Sequence, residues 1–163
     1  MKQFAHATLG AIAIALIASF ISATLYAELS GSASLISEVK TLIVFPGLAL
    51  LVPSLASTGA LGGRLAKFYN GDVGAAARLQ KKMMRMRVIA ANGILILIPC
   101  AFFLKAWAIA GDFGLTFYIV QGVEIAAGLT NLTLLVMNMR DGLTLRRERE
   151  RPRVEMEAAG GLR

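Results

Sequence analysis

LTFYIVQGVEIAAGLTNLTLLVMNM, residues 115–139, is the stretch that decides the fold class. A bilayer core of about 30 Å is crossed by about 20 apolar residues in a helix. This run is long enough, and Glu124 is its only charge. Its polar residues are ordered. Gln121, Glu124, Gly128, Asn131, Leu135 and Asn138 follow one another at alternating spacings of three and four, so they share one helix face. A carboxylate in hydrocarbon is costly, and that face is expected to look into a bundle, a cavity or a partner.

Three more stretches of similar length lie upstream. Residues 4–26 hold His6 as their only ionisable group, and residues 41–61 hold none. Residues 86–106 carry no charge between the flanking Arg87 and Lys105. The composition agrees: 56% hydrophobic and 17% charged, against about 45–50% and about 25% in soluble domains. Mean hydropathy is +0.66. The expected fold is an all-α integral membrane protein, a bundle of four transmembrane helices. Residues 1–139 form the membrane domain and residues 140–163 a charged tail.

The loops orient the chain. Of the 17 Lys and Arg residues, all but Lys40 and Lys105 fall at the N-terminus, in residues 62–87 or in the tail. The positive-inside rule then predicts an inner-membrane protein with both termini and the second loop in the cytoplasm. The net charge of +7 is accounted for by this bias and by anionic lipid, without nucleic acid. The first apolar run is longer than a signal-peptide core, and Leu25 is a poor cleavage-site residue, so an uncleaved span is expected.

Local signals fill in the rest. Residues 28–40, ELSGSASLISEVK, read as a small polar loop. Pro46 and Pro53 are expected to kink the second span, and the Gly-rich residues 58–63 to stop it. Asn70-Gly71-Asp72 is a turn signal, followed by strong helix formers without Pro or Gly from Ala75 to Arg87. One helix is therefore expected over 73–106, extending the third span into the cytoplasm and broken only mildly near Gly93 and Pro99. Trp107, Phe117 and Tyr118 are placed at an outer aromatic belt. Asp141-Gly142 is expected to break the fourth span from the Arg/Glu-rich tail.

Candidate functional residues lie on the polar faces. Glu124, Gln121, Asn131, Asn92 and Asn138 are candidates for ligand binding or ion coupling; packing glue between helices is the alternative. Asn92 is expected nearer Asn131 or Asn138 than Glu124. No Lys or Arg lies near Glu124 on its own helix, so Glu124 is expected without a basic partner, and Glu124→Gln is expected to fold as wild type. Gly59, Gly63 and Gly128, with the stripe Ala7, Ala11, Ala15, Ala18 and Ser22, are candidates for close helix packing. His6, with the nearby methionines, is a candidate haem or copper ligand. The basic residues 78–87 read as a topology anchor or a lipid-surface contact.

Function is less legible. Cys100 is the only Cys and His6 the only His, which excludes a disulfide scaffold and a Cys/His zinc site. No phosphate loop, nucleophile elbow, HExxH or dinucleotide fingerprint is present. Three readings follow. The first is a small accessory or binding subunit that holds a lipid, quinone or partner helix beside the fourth span. Its partners would be membrane lipid, other membrane subunits or further copies of itself. The second is a small oligomeric transporter or channel with Glu124 as coupling or selectivity carboxylate. The third is a redox protein with haem at His6.

The topology is open to test by cysteine labelling. In a Cys100→Ala background, Ser34→Cys should react with an impermeant maleimide from outside the cell and Ala75→Cys only from the cytoplasm. The reverse pattern would overturn the orientation.

Overall fold

The computed structural model describes the backbone of residues 2–66 and 73–160 and the side chains of residues 8–57 and 80–144. Six α-helices follow in order: α1 (Lys2–Ser30), α2 (Ala33–Leu42), α3 (Leu48–Ala66), α4 (Val73–Asn92), α5 (Ile98–Ala110) and α6 (Leu115–Gly160). Single wide turns join α2 to α3, at Ile43–Gly47, and α4 to α5, at Gly93–Leu97. The described residues thus contain four helices long and apolar enough to cross a membrane.

The first connection is far shorter than expected. Residues 28–40 are not a loop: α1 runs to Ser30 and α2 begins at Ala33. Gly31 turns the chain at φ +64°, a conformation that costs glycine little. Ser32 caps α2, its Oγ accepting from the Leu35 N–H at 3.4 Å. The serines that read as loop formers therefore start a helix, and Ile36 and Lys40 face inward from it.

The two wide turns have a common origin in proline. Pro lacks the N–H that an α-helix would use. At the second turn the Ile98 N–H reaches back to the Gly93 carbonyl, and Pro99 continues into α5. The expected long third helix is present as α4, this turn and α5, from Val73 to Ala110. At the first turn Phe45 is extended (φ −147°, ψ 116°) ahead of Pro46, and the Leu48 N–H bonds the Ile43 carbonyl. Pro53, by contrast, lies within α3, which runs through it and past residues 58–63 to Ala66. The expected stop at the glycines does not occur.

Nor does α6 break at Asp141-Gly142; it continues to Gly160. Asp141 accepts a 2.6 Å hydrogen bond from Arg85 of α4, so the two helices stay in register beyond the apolar segment.

Helix α1 packs on α3 and α6, α4 on α6, and α5 on α2 and α6. One apolar cluster joins Ala13, Ile17, Leu51, Ile89 and Leu135. A second, near the Gly31 and Gly111 turns, joins Ala27, Ile36, Leu104, Ala108 and Phe117. Phe117 is therefore core rather than belt. The buried face of α1 carries Ala13, Ile17, Thr24 and Ala27, while Ala15 and Ser22 of the expected small-residue stripe are exposed. Complementary shape on α3 and α6, not small size alone, selects the packing face. Many large apolar side chains, among them Leu50, Ile94 and Phe102, point outward.

Gly47 marks the tightest approach. A Cβ there would lie 2.7 Å from the Phe20 ring and 2.9 Å from the Leu42 carbonyl oxygen. The ring can turn aside, but the carbonyl is backbone. Gly47→Ala should lower stability by about 1–3 kcal/mol, read as unfolding in detergent. Gly122→Ala, whose Cβ meets nothing within 4 Å, is the neutral control. Equal stability of the two variants would show that the α1–α3 contact is looser than described.

Candidate functional site

The polar face of α6 is inside. Gln121, Asn131 and Asn138 are buried, and Glu124 and Gly128 lie on the same face against α1, α2 and α4. Three sets of contacts occupy it, one above another.

The middle set ties α4 to α6. Asn92 Nδ2 donates to Asn131 Oδ1 at 2.8 Å and to the Ala127 carbonyl at 2.9 Å. Asn131 Nδ2 in turn donates to the Ile89 carbonyl at 3.4 Å. The two carboxamides thus bind α4 to α6 through both side chains and backbone, and Asn92 meets Asn131 rather than Glu124. Gly128 serves the neighbouring contact: a Cβ there would stand 3.4 Å from Ile21 of α1.

Towards the Gly31 and Gly111 turns lies a charge pair. Lys40 Nζ donates to Glu124 Oε2 at 2.5 Å, with the lysine side chain 1% exposed and the glutamate 12%. The expectation that Glu124 lacks a basic partner is overturned. The partner comes from α2, in a segment read as loop from its serines, and reaches across the bundle. That α2 is helical through Lys40 is what carries the ammonium to the depth of Glu124. The expected neutrality of Glu124→Gln falls with that premise, because the amide would leave a buried ammonium without its counter-charge. Gln121, one turn from Glu124 on the same face, has its Oε1 buried with no hydrogen-bond partner among the described residues.

A cavity of about 50 Å³ adjoins this pair. Glu124 and Thr24 supply the polar part of its wall, and Ile17, Ile21, Leu51 and Leu97 apolar parts. Ile43 and Leu48, which flank the extended Phe45, also line it. A water needs roughly 10–15 Å³ by this measure and two or more polar partners, so the space suits a few waters or a small ion. Drug-sized ligands occupy roughly 300–1,000 Å³.

At the opposite end of the face, Arg85 donates to Asp141 at 2.6 Å and to Asn138 Oδ1 at 3.5 Å. His6, Gly59 and Gly63 lie outside the described side chains. Among the described residues no three His, Cys, Asp or Glu side chains form a group able to hold a metal.

Sequence reasoning placed the α6 face but missed Lys40. The signal was present: a lone lysine followed by an apolar run, without a Gly or Pro between it and Leu42. No family model matches the chain, and neither a curated protein nor a solved structure does.

The pair has a measurable signature. Lys40→Met or Glu124→Gln alone leaves one buried group without its counter-charge and should cost about 3–5 kcal/mol. Lys40→Met with Glu124→Met removes both charges and should restore most of the loss. Unfolding of the singles and the double in detergent checks this; strictly additive losses would mean that the two residues are not coupled.

Proposed function

We propose that this chain is a small multi-pass protein of the inner membrane that passes or couples a small cation, a proton or a monovalent metal ion, through the Lys40–Glu124 pair. The observation that carries this reading is that Glu124 belongs to a buried ion pair and also lines a water-sized cavity. A buried pair is a poor stabiliser compared with apolar packing, and an ionisable group in a membrane span marks an ion or proton path by default.

The neighbouring backbone supports it. Discontinuous helices in transporters place freed backbone groups beside their coupling sites. Here the extended Phe45 interrupts the second span between Ile43 and Leu48, both of which border the cavity. The pair offers a simple exchange. Transfer of one proton from the Lys40 ammonium to the Glu124 carboxylate leaves an amine and a carboxylic acid, both neutral. Alternatively a cation displaces the ammonium from the carboxylate.

A specific observation favours an accessory subunit as the second reading. Gly122 and Ala126 of α6 are exposed, one turn apart, on the side away from the polar face, and such spacing admits close approach of another helix. In this reading the pair sets the register of α2 on α6 and moves nothing.

Flux decides between them. Purified protein in vesicles should dissipate an imposed proton, sodium or potassium gradient, followed with an internal dye. The Lys40→Met/Glu124→Met variant, folded as judged by its unfolding transition, should not. Folded wild type that moves none of the three cations would overturn the reading and leave the accessory subunit.

A further inference from the structure

The far end of the α4–α6 contact has a surplus of hydrogen-bond donors. Asn138 is 5% exposed. Its Oδ1 accepts from Arg85, but its Nδ2 is buried with no partner among the described residues. Both N–H groups of that amide are therefore left without an acceptor, which is costly for a buried donor. Lys82, one turn before Arg85 on α4, brings its Nζ to 3.5 Å from the position a Cβ on Gly142 would take. Arg85 is paired with Asp141, whose side chain is 48% exposed, and Lys82 is close enough to feel the charge of the same carboxylate.

The donor inventory makes the imbalance concrete. A guanidinium carries five N–H groups, an ammonium three and a carboxamide two. Asp141 and Asn138 Oδ1 both take Nη1 of Arg85, which leaves the rest of the guanidinium edge for another acceptor. The depth is informative as well. Asn138 lies 14 residues beyond Glu124 on α6, about 21 Å along the axis. That places the cluster where the apolar part of both helices ends and Lys81, Arg87 and Arg140 begin to crowd the surface.

We propose that Lys82, Arg85 and the Asn138 amide form a phosphate-binding site between α4 and α6. Arg and Lys supply the charge, and the buried amide selects an acceptor oxygen. At the level of the headgroups the phosphodiester of an anionic lipid is one source of that group, and basic pockets between membrane helices bind such headgroups. Free phosphate is the other source. The site is independent of the Lys40–Glu124 reading and lies at the other end of the helices.

Two measurements on the full chain in a mild neutral detergent separate the sources. The first is retention of phosphatidylglycerol against phosphatidylcholine in native mass spectrometry. The second is the rise in Tm with inorganic phosphate against chloride at matched ionic strength. Preferential retention of phosphatidylglycerol assigns the site to lipid, and a phosphate-specific rise in Tm assigns it to the free ion. Lys82→Gln with Arg85→Gln should weaken either by at least about tenfold per lost charge-assisted contact. Asn138→Asp is the sharper variant. Its carboxylate takes the place of the missing acceptor, so Tm without ligand should hold or rise while the response to phosphatidylglycerol or phosphate disappears. No preference for phosphatidylglycerol over phosphatidylcholine together with no phosphate effect in wild type would overturn the proposal. So would an undiminished response in both variants.

Discussion

Every polar group that enters an apolar layer must find its partner inside the protein, because neither lipid nor apolar side chains will supply one. Helix α6 carries four such side chains on one face, and the packing of the other helices follows from where their partners lie. The Asn92–Asn131 pair draws α4 onto it, while α2 packs on α1 and α5 and reaches α6 through the Lys40 side chain. Helix α1, which offers no charge at this depth, fits by shape through Ile21 over Gly128 and through Ala13 and Ile17 in the apolar cluster. Apolar contacts alone would not select this register in a membrane, since lipid tails are as good a solvent for leucine as a neighbouring helix is.

Proline shapes the same structure in two ways. Pro99 sits just after a wide turn that absorbs the missing N–H, and the third span continues into α5. Pro46 follows an extended residue, and the second span is interrupted. The difference lies in the surroundings. Gly47, immediately after Pro46, lets the chain press against the Phe20 ring and the Leu42 carbonyl. No comparable contact meets Gly93, where the nearest side-chain atom, Asn131 Nδ2, stands 4.0 Å from a Cβ position. The interruption is thus anchored to α1 beside the cavity that Glu124 lines.

Much of this was legible in the sequence. Length and apolarity gave four crossing-length helices, and the three-four spacing on α6 gave the buried polar face because helical periodicity does not depend on partners. The continuity from Val73 to Ala110 followed from propensity. What was not legible required knowledge of other helices. Ser32 reads equally well as a loop serine or an N-cap, and only the second reading turns Lys40 inward. Gly47 is one glycine among 16 in the sequence until Phe20 is seen to lie against it. Asp141-Gly142 has the composition of a helix break, yet Arg85 of α4 holds the helix together there. In each case a long-range contact overrides the local signal.

The three levels of contact along α6 differ in how completely they are satisfied, and that difference orders their roles. At the Asn92–Asn131 level both amide nitrogens find acceptors on the facing helix, so this level ties α4 to α6. At the Lys40–Glu124 level the leftover group is an acceptor, Gln121 Oε1, one turn from Glu124. At the Arg85–Asp141 level it is a donor, Asn138 Nδ2, on an amide whose Oδ1 accepts from Arg85. A buried acceptor next to an ion pair favours water, a proton or a cation, whereas a buried donor among cations favours an anion. The face thus leaves an acceptor over towards one end and a donor towards the other. Chemistry has room only where the hydrogen-bond inventory fails to close.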